Sequence, residues 1–568
     1  MKQTWWNINK QSRVLLVCVS LLAPVTVEAS PLQESRPSLV VFISLDQFPQ
    51  EYLTRFGSYF HDGFVLLQSK GASFRNARYR QAQCATGPGH AVLLTGADAA
   101  SNGIIANNWY DRRTQSRQYC VEDRSTSLLG ADGVGCSPRF LMAPTYGDML
   151  RISSGFHAKV VSISNKDRAA VLMGGRIPTG AFWMVDSAFV TSSYYMKSTP
   201  LWVDNFNRSG AINSFFGRSW TKSLPDSCFE RLDRDNAPYE DNHDDLGITF
   251  PHPITGLDHR RITSSYYSAL VTSPYGAELL EQFAEAAVLG EELGRRSEMD
   301  LLCVSFSSTD YVGHTFGPHS HEVLEMAVAM DRILGKFLRF LDEKVGLDRC
   351  LIVLSSDHGI TPIPEYILSR NANALAGRTS VEATRASCEA GMIERFGRPP
   401  AEMSWIEAVS DHNVYIRHGL LASRHIPLQD ACSVVAAKLV SLPPFAQAYS
   451  VESDATMNNS ELFAKVLRNV YHGRSGDVVY IIQPFYLDEG IAGTAHSDPY
   501  DYNSHVPIIF MGKGIAAGVH SEEASPEDIA PTLSNLTGIE FPASRTGAIL
   551  RGLQSSASST SFFTGSTR

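Results

Sequence analysis

The sequence predicts an α/β protein: a doubly wound, mostly parallel sheet flanked by helices, with cap insertions. Short continuous apolar runs, Leu39 to Leu45 (LVVFISL), Leu301 to Phe306 and Leu351 to Leu354, have the pattern of strands buried on both faces. Between the second and third runs, Val323, Met326, Met330, Ile333, Phe337 and Leu341 recur at steps of three and four, as in a helix that packs back onto a sheet. Each run also ends in polar residues. In open α/β sheets the ligand crevice lies beyond the carboxyl ends of the strands, so these exits are where chemistry is expected.

The 568 residues are 43% hydrophobic and 19% charged, enough for one large domain with insertions or for two or three domains. A formal net charge of −10 argues against a general nucleic-acid binder, which needs surplus Lys and Arg to displace counterions. Lys2, Lys10 and Arg13 precede the apolar run Val14 to Ala23, and Val27-Glu28-Ala29 offers a cleavage site. Residues 1–29 therefore read as a secretory signal peptide, with an uncleaved anchor as the lesser alternative. No later stretch approaches the about 20 apolar residues that span a bilayer. The expectation is a periplasmic or secreted protein, monomeric or weakly oligomeric, with no membrane span after cleavage. Beyond Cys18 stand Cys84, Cys120, Cys136, Cys228, Cys303, Cys350, Cys388 and Cys432. This even set permits disulfides but contains no CxxC spacing for a thiolate zinc site.

Taken in order, the main domain runs over residues 30–552. The first strand ends in Asp46, either a ligand or the opening of a turn. Thr86 precedes Gly87-Pro88-Gly89-His90 and an apolar, helical segment. Its hydroxyl there is either a nucleophile at a helix start, where the dipole favours an anion, or a plain N-cap; His90 reads as a structural hydrogen-bonding residue. Asn107 and Asn108 fall in a turn within GIIANNWYD. Ala158 to Ser164 is a further strand with the exit Asn165-Lys166-Asp167-Arg168. In an extended exit Lys166 and Arg168 point the same way and together suit a doubly charged phosphate; the plainer alternative is a solvated turn with Asp167 as partner.

The aromatic and polar mixture over about 181–260 reads as an insertion. After Phe306, Asp310 and His314 stand four apart, a chelating spacing on one helical face, with His319 and His321 as extra ligands or loop residues. Arg349 to Gly359, RCLIVLSSDHG, delivers Asp357 and His358 to the end of a strand, and Gly359 lets the chain turn. Residues 362–477 read as a second insertion or cap. His496 stands just before the last core strand, Val506 to Phe510. Ser525-Pro526-Glu527-Asp528 starts a terminal helix, and 553–568 form a Ser/Thr-rich tail expected to be disordered.

Asp46, Asp310, Asp357, His314, His358 and His496 together are enough to bind two divalent ions with positions left for substrate. Such a pair clamps the attacking and leaving oxygens of a displacement at phosphorus and would activate the Thr86 hydroxyl.

On these residues the chain resembles the alkaline phosphatase superfamily, in its type I phosphodiesterase/nucleotide pyrophosphatase branch. It looks most like the exported bacterial alkaline phosphatases that use a threonine nucleophile. The resemblance runs from about Leu39 to Ile539. It implies two Zn2+ ions: one held by Asp46, Asp357 and His358 together with Thr86, the other by Asp310, His314 and His496. It implies phosphate contacts from Asn107, Lys166 and Arg168, the last two matching the basic pair of the monoesterase members. The expected activity is hydrolysis of small phosphate monoesters through a covalent phosphothreonine. A sulfatase is disfavoured because no Cys/Ser-x-Pro-x-Arg motif follows Cys84. The alternatives are a phosphodiesterase, nucleotide pyrophosphatase or phosphonate monoesterase on the same site, and a non-catalytic exported metal- or phosphate-binding protein.

Overall fold

Strands with no polar face have to lie in the middle of a layered fold, and the computed structural model places them there. It describes residues 36–242, 246–452, 460–488 and 490–554. The expected signal peptide and nearly all of the Ser/Thr-rich tail lie outside the described residues. One sheet holds eleven strands: β1 (Leu39–Leu45), β2 (Ala72–Phe74), β3 (Glu122–Leu129), β4 (Val134–Cys136), β5 (Val160–Ser164), β6 (Gly180–Val185), β7 (Ala188–Ser192), β8 (Asp300–Phe306), β9 (Cys350–Ser355), β10 (Ile508–Gly512) and β11 (Gly518–His520). Their order is β11-β2-β10-β9-β1-β8-β5-β6-β7-β3-β4. The central five, β9, β1, β8, β5 and β6, are mutually parallel, and β10 runs antiparallel beside β9.

Alternate residues of β1 feed two separate cores. Leu39, Val41, Ile43 and Leu45 pack with Phe283 and Phe337, which lie on helices α3 (Pro274–Gly290) and α5 (His321–Lys344). Val40 and Phe42 pack with Leu93 of α1 (Thr86–Thr95) and with Leu533 of the terminal helix Ile529–Thr537. Two more helices follow strands directly: α2 (Asp167–Gly174) after β5 and α4 (Ser308–Phe316) after β8. Helices thus cover both faces, as a doubly wound sheet requires.

Register brings the strand exits to one line. Ser44 pairs with Ser305 and with Ser355, and Ser305 pairs with Ser164. Asp46, Lys166, Ser307 and Asp357 therefore leave the sheet at one edge, side by side.

The insertion expected from 181 begins too early. β6 and β7 extend the main sheet, with Trp183 opposite Val190 and Met184 opposite Phe189. Their aromatic and branched residues look irregular beside all-aliphatic runs, yet they suit a pleated surface. A second sheet lies within and just beyond the region 362–477. Strands Ile406–Ser410, Asn413–Ile416, Val478–Ile482 and Phe445–Ser450 form a separate four-stranded sheet with its own core around Trp405, Val414 and Tyr480. Among the described residues no helix is long and apolar enough to cross a membrane, and all eight cysteines are free.

Candidate active site

The carboxylates at the strand exits are wholly or almost wholly buried and held by hydroxyl and amide donors. Asp46 accepts from Ser305 Oγ at 2.5 Å and Ser307 Oγ at 2.7 Å, and its backbone carbonyl accepts from Thr309 Oγ1 at 2.5 Å. Burial raises the Asp46 pKa, but the facing His90 imidazole and Lys166 ammonium bring it down to about 2. Asp357 Oδ1 accepts from the backbone N–H of Gln47 at 3.0 Å. Its other oxygen, Oδ2, is fully buried and faces His90 Nδ1 at 3.2 Å and His358 Nε2 at 3.3 Å. Gly89 of α1 packs against this turn so closely that a β-carbon there would lie 2.2 Å from the Asp357 carbonyl oxygen. The helix carrying Thr86 can approach only because that residue is glycine.

Three histidines share one construction. His314 Nδ1 faces the carbonyl of Thr494 at 2.7 Å, His358 Nδ1 that of Gly359 at 2.9 Å, and His496 Nδ1 that of Cys84 at 3.0 Å. A carbonyl only accepts, so each Nδ1 carries its proton and each Nε2 is turned inward. These Nε2 atoms surround Asp310 Oδ1 at 3.4 Å (His314), 3.8 Å (His358) and 3.8 Å (His496). Burial lowers the pKa of both His358 and His496, whose rings stack at 3.6 Å, so their Nε2 atoms are lone-pair acceptors facing a carboxylate. Burial opposes charging of His314 too, but Asp310 outweighs it and raises the pKa. Acceptors that converge on acceptors, with the outer nitrogens tied to carbonyls, fit a divalent cation bound among them.

Among the described residues, two groups of potential ligand atoms are each gathered within 4.8 Å, Asp310, His314 and His496 in one and Asp46, His90 and Asp357 in the other. His90 is the residue whose role sequence reasoning understated. Its nitrogens lie 3.2 Å from Asp46 Oδ1 and 3.2 Å from Asp357 Oδ2. Its Nδ1 faces the Thr86 carbonyl at 2.9 Å, and its Nε2 faces Ser305 Oγ at 2.9 Å. Because Ser305 gives its proton to Asp46, both His90 nitrogens must donate. Burial disfavours that imidazolium, but Asp46 and Asp357 raise its pKa to about 10. His90 therefore has no lone pair to offer.

Thr86 is the first residue of α1, and its hydroxyl is 3.4 Å from His358 Nε2 on one side and 3.5 Å from Arg168 Nη2 on the other. Asn107 Oδ1 accepts from the Gly87 N–H at 2.7 Å, which leaves its amide donors for a ligand. The basic pair is together, though not through an extended exit: Lys166 is the N-cap of α2 and Arg168 lies in its first turn. Lys166 Nζ donates to Asp310 Oδ2 and stands 3.7 Å from Asp46 Oδ2, so it first neutralises carboxylates. Arg168 Nη1 donates to Tyr119 Oη at 3.3 Å, and Tyr119 in turn donates to Asp167 at 2.5 Å. Asp167 is thus a relay to the guanidinium rather than a solvated partner. His319 and His321 are absent from both ligand groups. Gln47 and Tyr119 were missed as site residues, and only the position of Gln47, one residue after a strand-end Asp, gave any signal, whereas His90 is the hydrogen-bonding residue that the sequence suggested.

Asn107, Arg168, His314 and His496 open onto a cavity of about 590 Å³.

Comparison with known proteins supports the same assignment. A family model described as type I phosphodiesterase / nucleotide pyrophosphatase matches residues 40–484. Alkaline phosphatase PafA of Elizabethkingia meningoseptica is 33% identical over 547 residues, covering 94% of this chain and 96% of that protein. Alkaline phosphatase PhoV of Synechococcus elongatus is 30% identical over 573 residues, covering 95% and 100%. A crystal structure of wild-type PafA superposes with a TM-score of 0.85 at 31% identity, over 93% of this chain and 100% of that one. With the family model matching most of the chain and PafA similar over 94% of it, the chain belongs to the type I phosphodiesterase / nucleotide pyrophosphatase family of the alkaline phosphatase superfamily.

Proposed function

We propose that the chain is an exported, metal-dependent phosphomonoesterase that hydrolyses small phosphate monoesters through a phosphothreonine at Thr86. The observation that carries this is the approach to one buried hydroxyl, Thr86 Oγ1, of His358 at 3.4 Å and Arg168 at 3.5 Å. The alkaline phosphatases similar to this chain over nearly its whole length support the reading.

Asp310, His314 and His496 would hold one Zn2+, and Asp46, Asp357 and His358 with the Thr86 oxygen the other. His90 stays outside this set because both its nitrogens already donate. Oxygen and nitrogen donors without thiolate suit zinc. Bound there, the two ions would lower the pKa of the Thr86 hydroxyl and of a water and would neutralise charge on the phosphate oxygens.

The chain's own groups supply position and field. Arg168 and the Asn107 amide bind phosphate oxygens, and the N-terminus of α1 adds its dipole on the same side. Lys166 adds positive charge beneath the site, where the second charge of a monoester dianion would otherwise meet Asp310 and Asp46. Thr86 Oγ1 bonds to phosphorus as the ester P–O bond breaks and the alcohol departs. Water then displaces Thr86, releasing inorganic phosphate and restoring the hydroxyl.

The test is steady-state hydrolysis of an aryl phosphate and of its methyl diester at matched leaving group by the zinc-loaded protein. A strong monoester preference is expected, and Arg168→Ala or Lys166→Ala should cut monoester kcat/KM by about a thousandfold, about 4 kcal/mol, and diester turnover far less. Preference for the diester would place the protein on the phosphodiesterase side. Turnover of neither would overturn the enzyme reading in favour of an exported binding protein.

A further inference from the structure

The cavity beside Arg168 and His496 has a second wall, and the cap provides it. Asp411, His412 and Asp488 line the side away from the sheet. At about 590 Å³ the space is in the range of small-ligand pockets, large enough for a phosphate and a short alcohol together. Asp411 and His412 form the tip of the hairpin between Ile406–Ser410 and Asn413–Ile416, where Ser410 pairs with Asn413. Both tip residues are left-handed, with φ of 43° and 64°. A two-residue turn of this shape is most easily made by Asn-Gly, yet this one presents a carboxylate and an imidazole to the cavity.

The His412 half is closed on itself. His412 Nε2 lies 3.1 Å from Asp488 Oδ2, which also accepts from the Tyr480 hydroxyl at 3.3 Å. Burial opposes charging of His412, but Asp488 raises its pKa, and the charged pair is neutral as a unit. Asp411 is different. Its one side-chain hydrogen bond among the described residues comes from Ser410 Oγ at 3.0 Å, and no ion pair is formed. The exposed Arg117 guanidinium at the rim acts on Asp411 through solvent, and Glu382 is exposed on the same rim. Burial raises the Asp411 pKa to about 6, so at alkaline pH it presents a carboxylate.

We infer that Asp411 is a specificity-determining residue that selects phosphate monoesters of amino alcohols, binding the ammonium of the leaving group across the cavity from Arg168. The inference rests on the phosphomonoesterase reading. Arg168 lines the cavity from the main sheet and Asp411 lines it from the cap, the latter with no ion pair among the described residues. A zwitterionic ester matches that field end to end, whereas an alcohol bearing a second phosphate or a carboxylate meets repulsion at Asp411.

The experiment compares kcat/KM for 2-aminoethyl phosphate and for propyl phosphate, its near-isosteric uncharged counterpart, in the zinc-loaded wild type and in Asp411→Asn at pH 8.5. The two alcohols differ intrinsically as leaving groups, but equally for both proteins, so the ratio of ratios isolates Asp411. The substitution is expected to lower the preference for the aminoethyl ester about five- to tenfold, the size of one partly solvated charge pair, with most of the change on that ester. Asp411→Ser should do the same if Asp411→Asn does not fold. An unchanged ratio in a folded variant, or equal losses on both esters, would overturn the inference while leaving the phosphomonoesterase intact. Failure of the wild type to hydrolyse either ester or an aryl phosphate would remove the parent reading and this one with it.

Discussion

Thr86 is completely buried, and a threonine hydroxyl is a poor nucleophile at neutral pH, so its surroundings have to supply what it lacks. Arg168 Nη2 and His358 Nε2 are the side-chain atoms that reach it. Thr86→Ala is therefore expected to lower kcat/KM by at least about a thousandfold, about 4 kcal/mol, and to abolish a phosphoryl adduct that acid quenching traps on the wild type. Thr86→Ser should retain the adduct. Mass spectrometry of the quenched proteins decides, and an adduct that survives in Thr86→Ala would rule out Thr86 as the residue that carries it. At this scale the sequence was most legible where a carboxylate ends an apolar run, because strand periodicity fixes where such a residue emerges. Asp46 and Asp357 emerge just beyond the ends of β1 and β9, whereas Asp310 lies in the first turn of α4. His90, Tyr119 and Gln47 act through contacts with residues far away in the chain, such as His90 with Ser305 and Tyr119 with Arg168. No local pattern announces those.

Elements were legible in proportion to their regularity. The all-aliphatic strands and the α5 periodicity were plain, whereas β6 and β7, with Phe, Trp and Met among their residues, were mistaken for an insertion. The Ser525-Pro526-Glu527-Asp528 signature is a helix start in fact, a capping box on a 3-10 turn that leads into Ile529–Thr537. It also buries an acid. Burial raises the Glu527 pKa to about 7 despite the nearby Arg80, although the Arg80 N–H and the Ser525 hydroxyl both donate to its carboxylate. Below the ordinary carboxyl pKa, folded and unfolded chains are both protonated and this group is neutral to stability. Between that pH and about 7 the folded chain holds the extra proton, so stability falls as pH rises, and above 7 the loss is complete at about 3 kcal/mol. Glu527→Gln cannot ionise, and its amide oxygen can still accept from the Arg80 N–H while its NH2 donates to Ser525 Oγ. It is expected to raise the unfolding midpoint at pH 8.5 and to do little at pH 5, relative to wild type at the same zinc loading. Equal shifts at both pH values would mean that packing rather than ionisation is responsible.

For the molecule as a whole, the site is where distant parts of the chain meet. Asp46 follows β1, Asp310 and His314 lie on α4, Asp357 and His358 follow β9, and His496 arrives from the segment beyond the cap. Three buried carboxylates stand here against the ammonium of Lys166 and the imidazolium of His90, an imbalance that two divalent ions would reverse. Ions bound at this junction would tie the sheet to the cap-side segment, and they would bind the folded chain alone because the unfolded chain does not assemble the ligands. Stability then rises with free metal by mass action, about 4 kcal/mol at a thousandfold excess over Kd. Chelation is expected to remove hydrolysis and lower the unfolding midpoint together, and stepwise return of zinc should restore both, with the midpoint climbing as the logarithm of free zinc. In Asp310→Asn, which replaces the carboxylate around which His314, His358 and His496 gather, the climb should be markedly shallower. A midpoint indifferent to chelator and to added zinc, in protein that binds no stoichiometric metal, would refute the ion pair and leave the buried carboxylates without the cations their geometry implies.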